Sequence, residues 1–231
     1  MSKKTMGIHH ITAIVGHPQE NVDFYAGVLG LRLVKQTVNF DDPGTYHLYF
    51  GNEGGKPGTI ITFFPWPGAY QGKIGDGQVG VTSYVVPKGS MKFWEKRLEK
   101  FKIPFTKIER FGENYLEFDD PHGLHLELVE REEGEINTWN FGEVTPEVAI
   151  KGFGGATLLS AQPDSTAELL ENIMGLEKVG KEGDLIRFRS TAEIGNVIDL
   201  KLTPIGRGKM GVGTVHHIAW RASDDQDQLD W

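Results

Sequence analysis

The sequence of 231 residues predicts an α+β fold built from tandem βαβββ units. Thirty glycines and eleven prolines separate short apolar runs, which is typical of many strands joined by turns. Two pairs of segments also repeat within the chain. Residues 28–34 (VLGLRLV) match 173–179 (IMGLEKV), and residues 8–15 (IHHITAIV) match 215–222 (VHHIAWRA). The chain therefore repeats one supersecondary unit.

The first unit begins with a predicted strand over 8–15, because this stretch is apolar and rich in β-branched residues. The apolar residues of 22–29 then recur at spacings of three and four residues, which indicates a helix. Gly30 follows, and a glycine commonly ends a helix. Three more strands are predicted over 31–39, 45–50 and 59–64.

The later units follow the same order. The second unit has a predicted strand over 79–86, a helix over 91–101 and strands over 115–118 and 124–129. The third has a strand over 154–161, a helix over 165–174 and a last strand over 197–202. The fourth has a strand from 214, followed by a loop and first helical turn over 224–231. The acidic, polar stretch between the second and third units predicts a linker.

The predicted domains are therefore a first pair of units over 1–130, a linker over 131–151 and a second pair over 152–231, with the fourth unit truncated after its first strand. The sequence is expected to represent part of a longer protein of four units.

Composition limits the function. The formal net charge of −8 and the scattered basic residues argue against nucleic-acid binding. No run of about 18 apolar residues and no signal-peptide pattern occurs, which predicts a cytoplasmic protein without a membrane span. Because the chain has no cysteine, any metal must be bound by His, Asp or Glu.

Two histidine pairs, His9-His10 and His216-His217, occupy the same position in the first strands of the first and fourth units. Neighbouring residues of a strand point to opposite faces, so one histidine of each pair is expected to face a shared concave surface. Strand alternation alone does not decide which one.

The remaining histidines are assigned weaker roles. His47, in an alternating strand, and His122, in a turn, are interpreted as structural. His125 alternates with Glu127 and is a minor candidate for a second metal site, although Glu127 is expected to be structural. The acidic stretch 130–135 is interpreted as a solvated surface.

These motifs resemble the ring-cleaving dioxygenases of the vicinal-oxygen-chelate superfamily, which also includes glyoxalases and bleomycin resistance proteins. The resemblance is strongest to the hydroquinone dioxygenases and covers essentially the whole chain. It rests on IHHIT at 8–12, FYAGVLGLRLVKQTVNFD at 24–41, YHLYFGNEGGKPGTIITFFP at 46–65 and VHHIAW at 215–220. It implies curved, cup-like mixed sheets with helices on the outside.

The resemblance also implies a metal centre. Fe(II), with Mn(II) as the alternative metal, is held in this family by two histidines and one carboxylate, with open positions for substrate and O₂. The metal ligands carried over to this chain are His10 and His217, and His9, Thr12 and His216 would contact the ligands or the substrate. The carboxylate is expected beyond residue 231.

The expected function is an Fe(II)-dependent, extradiol-type dioxygenase that cleaves hydroquinone- or catechol-type rings. The partners would be a small aromatic substrate and O₂, and a homo-oligomer is an open alternative. A glyoxalase-like metal-dependent lyase or isomerase, and a protein that binds aromatic ligands without turnover, are the competing functions. Aromatic residues that are expected to line a pocket or join the core are Phe40, Tyr46, Phe63, Phe64 and Trp66.

Overall fold

The computed structural model describes residues 3–231. The strands in that part of the chain are β1 (Ile8–Val15), β2 (Arg32–Val38), β3 (Tyr46–Gly51), β4 (Ile60–Pro65), β5 (Gln78–Val86), β6 (Phe105–Arg110), β7 (Glu113–Asp119), β8 (His125–Glu130), β9 (Gly152–Leu159), β10 (Glu177–Glu182), β11 (Leu185–Arg189), β12 (Val197–Lys201) and β13 (Thr214–Trp220). The helices are α1 (Pro18–Val22), α2 (Met91–Lys100), α3 (Pro163–Glu168) and α4 (Asp225–Asp230), and π-helical segments Asp23–Val28 and Leu169–Ile173 continue α1 and α3.

The predicted α+β class and the βαβββ order are confirmed for the first three units, and β13 with α4 begins a fourth. The sequence prediction lacked three strands, β6, β10 and β11. Strands β6 and β10 form the two edges of their sheet, where most of their side chains are exposed and polar, so neither carries an apolar pattern. Strand β11 escaped prediction because the charged Arg187 interrupts its short buried run.

The two helices that the sequence repeat identified end alike. Each passes from an α-helix into a π-helical segment and stops at a glycine with a left-handed backbone, Gly30 at φ 70° and Gly175 at φ 71°. A Cβ atom on Gly30 would also lie 2.8 Å from the side chain of Val144. The predicted glycine stop is therefore confirmed, because this position requires both the positive φ and the absent side chain.

The strands form two sheets. The five-stranded sheet has the order β13-β1-β4-β3-β2, and the eight-stranded sheet has the order β10-β11-β12-β9-β5-β8-β7-β6. In each sheet the first strands of two units pair antiparallel, β1 with β13 and β5 with β9. The first unit therefore pairs with the fourth, and the second unit pairs with the third. Both sheets draw strands from either side of the predicted linker, and the domain boundaries themselves stay a prediction.

The segment between the second and third units is held against the sheets. Asn137 accepts a hydrogen bond from the backbone N–H of Glu53 at 3.0 Å and donates one to the carbonyl of Ile150 at 3.0 Å. The ammonium of Lys151 donates to the carbonyls of three successive residues, 131–133, at 2.8–3.2 Å. The predicted linker thus contributes ordered contacts to the fold.

The core lies between the sheets and the helices. Trp94 of α2, Tyr25 of the first π-helical segment and Phe63 of β4 are fully buried, and Tyr25 and Phe63 pack with ring centroids 4.4 Å apart. Aromatic side chains of this size contribute most of the apolar area that a core removes from water. Over residues 3–231 no helix has the length and apolar character needed to cross a membrane.

Candidate metal centre between strands β1 and β13

Two β-bulges shape the pairing of β1 with β13. The register passes from Ile8 opposite Trp220 to His10 opposite Ala219, so His9 is an extra residue in β1. The register then passes from Thr12 opposite His217 to a pair that skips His216, which makes His216 the extra residue in β13. A bulge redirects side chains near it. Regular alternation, which we expected to separate the members of each pair, is therefore broken at both.

The structure brings His10 and His217 together. Their Nε2 atoms lie 3.2 Å apart, and their ring planes meet at 83°. Metal–imidazole bonds of about 2.1 Å would span this separation at an N–metal–N angle of about 100°, which suits two adjacent ligands of one metal ion. The two imidazoles therefore fit a shared cation, as the predicted ligand set requires.

The first histidine of each pair, His9 or His216, contacts the second histidine at its Nδ1 atom, the ring nitrogen that does not face the proposed metal. His9 Nδ1 lies 3.0 Å from His10 Nδ1, and His216 Nδ1 lies 2.8 Å from His217 Nδ1. A hydrogen bond to Nδ1 fixes the tautomer and orientation of an imidazole whose Nε2 binds a metal. His9 and His216 are thus placed to orient His10 and His217, and their predicted contact with substrate stays a prediction.

Four further polar side chains continue from His217. Thr12 Oγ1 lies 3.0 Å from His217 Nε2 and 2.7 Å from Thr62 Oγ1. His47 Nε2 lies 2.9 Å from Thr62 Oγ1, and His47 Nδ1 lies 2.9 Å from the hydroxyl of Tyr49. The interpretation of His47 as a structural residue overlooked this position, because it depends on how three strands pair.

Strand register explains this row. Thr12 of β1 is paired with Thr62 of the parallel strand β4, and Thr62 is paired with Tyr49 of the antiparallel strand β3. His47 and Tyr49 are two residues apart and so share a face. The alternation in YHLYF was the one sequence signal for this shared face.

The histidines of the site are held neutral. Burial lowers the pKa of His10 to about 4, and the positive charges that His217, His9 and His47 would carry lower it as well. Burial and the neighbouring His217 and Lys35 likewise lower the pKa of His47 to about 4. Burial is also the main cause of the lowered pKa of His9 and His217. Neutral imidazoles keep the lone pairs that a metal needs.

The third ligand is absent from this cluster. Among residues 3–231, no group of three or more His, Asp and Glu side chains is arranged to hold a metal ion. The structure thus supplies two imidazoles at ligand spacing, and the carboxylate ligand stays a prediction.

His125 and Glu127, the minor candidate for a second metal site, do not join each other. His125 Nδ1 lies 2.5 Å from Asp119 Oδ1. Glu127 accepts hydrogen bonds from Ser83 at 2.6 Å and from Arg110 at 2.7 and 2.5 Å. The carboxylate of Glu127 is therefore neutralised by a guanidinium, which confirms the expected structural role. His122 fits its structural assignment too, because its Nδ1 accepts a hydrogen bond from the backbone N–H of Gly16 at 3.4 Å, and its own backbone N–H donates to Asp120 Oδ1 at 2.8 Å.

The predicted aromatic residues divide into three groups. Phe63 joins the core, whereas Phe64 lies beside the site, with its ring 4.5 Å from His47 and 5.5 Å from His216. Trp66 stacks on Phe64 at 6.1 Å. Phe40 is 94% exposed and Tyr46 is 50% exposed, so the expectation that they line a pocket or join the core is wrong. Both lie where the chain leaves β2 and enters β3, away from either packed face.

A small cleft flanks the site on the side of β13. It has a volume of about 270 Å³, and its lining includes His216, His217 and Val79 of β5. A cavity of about 370 Å³ at the beginning of β1 has no histidine in its lining. This cleft borders His216 and His217 but not His10, so it adjoins one side of the candidate metal centre.

The chain is similar in sequence and in fold to known proteins. Residues 7–133 match the family model of the Glyoxalase/Bleomycin resistance protein/Dioxygenase superfamily. The chain is 87% identical to the "Putative ring-cleaving dioxygenase MhqO" of Bacillus subtilis, over all of this chain and 74% of that protein. It is 36% identical to the chlorohydroquinone/hydroquinone 1,2-dioxygenase of Sphingobium indicum, over 97% of this chain and 73% of that protein. A crystal structure from Bacillus subtilis at 87% identity superimposes with a TM-score of 0.99, over all of this chain and 74% of that one.

Proposed function

The chain belongs to the glyoxalase/bleomycin resistance protein/dioxygenase superfamily, and on that premise we propose that it is an Fe(II)-dependent dioxygenase. Its substrates are small hydroquinone- or catechol-type aromatics, and its second substrate is O₂. The observation that carries the proposal is the 3.2 Å separation of His10 Nε2 and His217 Nε2. Relationship to ring-cleaving dioxygenases, one of which is named for hydroquinone, supports the substrate class.

In this proposal His10 and His217 hold Fe(II). Fe(II) held there would supply a Lewis acid for a substrate hydroxyl and a coordination site for O₂, which is the chemistry that ring cleavage with incorporation of O₂ would require. The residues of this chain orient and shield the reactants. His9 and His216 fix the two ligand rings through their Nδ1 atoms, and Phe64 offers an apolar surface to an aromatic ring.

The competing glyoxalase-like function needs more carboxylates around the metal. The last strand of the first unit offers Thr62 rather than a carboxylate at the position that faces Thr12. A protein that only binds aromatic ligands would share the same cleft but would consume no O₂. The same experiment therefore separates the three functions.

The test is anaerobic loading with saturating Fe(II), followed by O₂ uptake with methylhydroquinone. Saturating metal is used because two imidazoles bind more weakly than a complete triad. We expect iron bound at up to one ion per chain and O₂ consumed with loss of substrate. The variant His217→Ala should lose both, whereas the matched control His125→Ala, at the exposed histidine of β8, should keep both.

Iron retained by His217→Ala at the wild-type level would contradict the metal site. Turnover of a methylglyoxal–thiol adduct without O₂ uptake would favour the lyase or isomerase. Tight aromatic binding without either reaction would favour the binding protein.

A further inference from the structure

A continuous row of hydrogen-bonding groups leads away from the metal centre. It consists of Thr12, Thr62, His47 and Tyr49, and its inner end touches His217. Every neighbouring pair of groups lies 2.7–3.0 Å apart, which is within normal hydrogen-bond distance. The row has no gap that would require a bridging water.

Burial differs along the row. Thr12 is 0% exposed and Thr62 is 1% exposed, whereas His47 and Tyr49 are partly exposed. The two threonines at the inner end are therefore out of contact with bulk water. The row connects this buried end with the protein surface. Partial exposure of Tyr49 gives the outer end access to solvent.

Each member can both donate and accept one hydrogen bond. Threonine and tyrosine hydroxyls have one proton and free lone pairs, and a neutral imidazole has one N–H and one bare nitrogen. Burial, with His217 and Lys35 nearby, lowers the pKa of His47 to about 4, so His47 is neutral near pH 7. A row of such groups has two directions, one in which all hydrogen bonds point inward and one in which all point outward.

Metal binding frees the inner end of this row. When the lone pair of His217 Nε2 is engaged by a cation, that nitrogen can no longer accept a hydrogen bond from Thr12. Thr12 can then donate its hydroxyl proton to Thr62, which leaves its own lone pairs open at the inner end of the row. A substrate hydroxyl that shares the site with His217 can donate to these lone pairs.

We propose that Thr12, Thr62, His47 and Tyr49 form a proton relay that carries the hydroxyl proton of the aromatic substrate to solvent. This inference rests on the proposed function and adds to it the path by which the substrate becomes an anion. The three relay members beyond Thr12 touch neither predicted ligand, so they act on the substrate through Thr12.

The transfer is balanced at each step. The substrate hydroxyl gives its proton to Thr12, and Thr12 passes its own proton to Thr62. Thr62 passes its proton to His47 Nε2, and His47 Nδ1 gives its proton to the oxygen of Tyr49. The phenol of Tyr49 then releases one proton to water. No electrons are transferred, the O–H bonding pair stays on the substrate oxygen, and the reversed row now directs a donor at that anion.

The experiment uses 4-nitrocatechol, whose absorbance changes with its ionisation. The Fe(II)-loaded protein is mixed with it anaerobically in a stopped-flow instrument, at a pH below the pKa of the free nitrocatechol hydroxyl, so that the ligand arrives protonated and no ring cleavage is required. Thr62→Val removes one relay hydroxyl while keeping side-chain shape. We expect unchanged iron content and a fall of about 10²-fold in the rate at which bound nitrocatechol ionises, the size typical of lost proton transfer. Thr62→Ser should restore the rate.

Thr82→Val is the matched control. Thr82 is also a fully buried threonine, on β5, and its hydroxyl has no hydrogen-bond partner among residues 3–231. This variant should ionise nitrocatechol at the wild-type rate. A second reading comes from the metal-free protein, in which the ¹⁵N shifts of His47 should report a changed tautomer balance in Thr62→Val but not in Thr82→Val.

Ionisation at the wild-type rate in Thr62→Val would overturn the relay and leave the proposed function intact. An equal loss in Thr82→Val would also overturn it, because the effect would then be one of packing. Absence of any Fe(II)-dependent nitrocatechol binding by the wild-type protein would overturn both proposals together.

Discussion

The five-stranded and eight-stranded sheets place corresponding side chains in similar positions, but these side chains are neutral in the first sheet and charged in the second. In three units, a hydroxyl residue of the first strand is paired with a residue of the last strand: Thr12 with Thr62, Ser83 with Glu127, and Thr157 with Asp199. The last strand carries a carboxylate in the second and third units and a threonine in the first. The two sheets therefore share a framework while differing in the groups that it holds.

The eight-stranded sheet supplies its own cations. Arg187 donates to Asp199 at 2.7 and 2.8 Å and to Glu113 at 2.6 Å. Arg110 bonds both Glu127 and Asp199, so that one guanidinium joins two units. Burial alone would raise the pKa of Glu113, but Arg131 and its other hydrogen-bond partners lower it to about 2. This network is complete without a metal.

Among residues 3–231, no lysine or arginine hydrogen-bonds to the corresponding pair of the five-stranded sheet, Thr12 and Thr62. Its facing side chains are neutral imidazoles and hydroxyls, with two Nε2 atoms 3.2 Å apart. The eight-stranded sheet thus pairs its buried carboxylates with guanidinium groups, whereas the five-stranded sheet keeps imidazole lone pairs that an external cation can use. Four experiments test this difference between the sheets.

The largest effect is expected from Arg187→Met. Removing this guanidinium leaves the buried Asp199 without its main partner and takes from Glu113 one of the two arginines that bind it, which costs about 3–5 kcal/mol of the free energy of unfolding. Urea unfolding would measure the loss. Lys107→Met is the control, since Lys107 forms an exposed pair with Glu95 and its loss should cost less than about 1 kcal/mol. Equal stability of the two variants would show that the arginine network does not hold the eight-stranded sheet.

The next effect concerns stabilisation by Fe(II). At a free Fe(II) concentration about 100 times the dissociation constant, binding to the folded state adds about 2.7 kcal/mol to the free energy of unfolding. This gain should vanish in His10→Ala. It should persist in Glu127→Gln, even though that change weakens the eight-stranded sheet. A gain in stability that depends on Glu127 would place the metal in the eight-stranded sheet and contradict the site at His10 and His217.

Acid should destabilise the two sheets in separate pH windows. An unfolded histidine has a pKa near 6.5 and His47 has a pKa of about 4, so the unfolded state binds the proton first, and stability falls as the pH drops from 6.5 towards 4. An unfolded glutamate has a pKa near 4.5 and Glu113 has a pKa of about 2, so its contribution is full above pH 4.5 and is lost as the pH falls through 2.

Each window should yield on the order of 1 kcal/mol after allowance for solvent screening. Free energies of unfolding of the metal-free protein, measured against pH, would separate them. His47→Phe should reduce the loss of stability in the upper window, to which His10 also contributes, and Glu113→Gln should flatten the lower window. If each variant altered the other's window, the two regions would not titrate independently.

The smallest effect is expected from Thr62→Val. It removes neutral hydrogen bonds to Thr12 and His47, and the net loss should be about 1 kcal/mol, because Thr12 keeps His217 as a partner and His47 keeps Tyr49. Chemical unfolding at neutral pH would measure it beside Thr82→Val. A loss above about 3 kcal/mol would mean that this row is chiefly a structural brace of the five-stranded sheet.

Local patterns in the sequence predicted much of this fold. The repeats around Gly30 and Gly175 and the duplicated histidine pairs identified the βαβββ units, because strands and glycine stops leave periodic signals. The edge strands β6 and β10 left none, since their exposed residues are not selected for burial. Phe40 was misplaced for a related reason: aromatic character alone does not reveal which side of a turn is open to solvent.

The site was predictable only in part. His10 and His217 were identified through the resemblance, whereas Thr62, His47 and Tyr49 were missed because their proximity depends on the register of β1, β4 and β3. The bulges at His9 and His216 were also hidden, because an extra residue in one strand is defined only by its partner. The arginine network depends in the same way on strands from two units.

The central claim is that His10 and His217 bind one cation through their Nε2 atoms. X-ray absorption of the Fe(II)-loaded protein at the iron edge tests it most directly, because imidazole rings give a distinctive scattering pattern. We predict two imidazole nitrogens at about 2.1 Å from iron in the wild-type protein and loss of the protein-bound iron signal in His217→Ala. A spectrum with no imidazole ligands, or one that is unchanged by His217→Ala, would contradict the shared site.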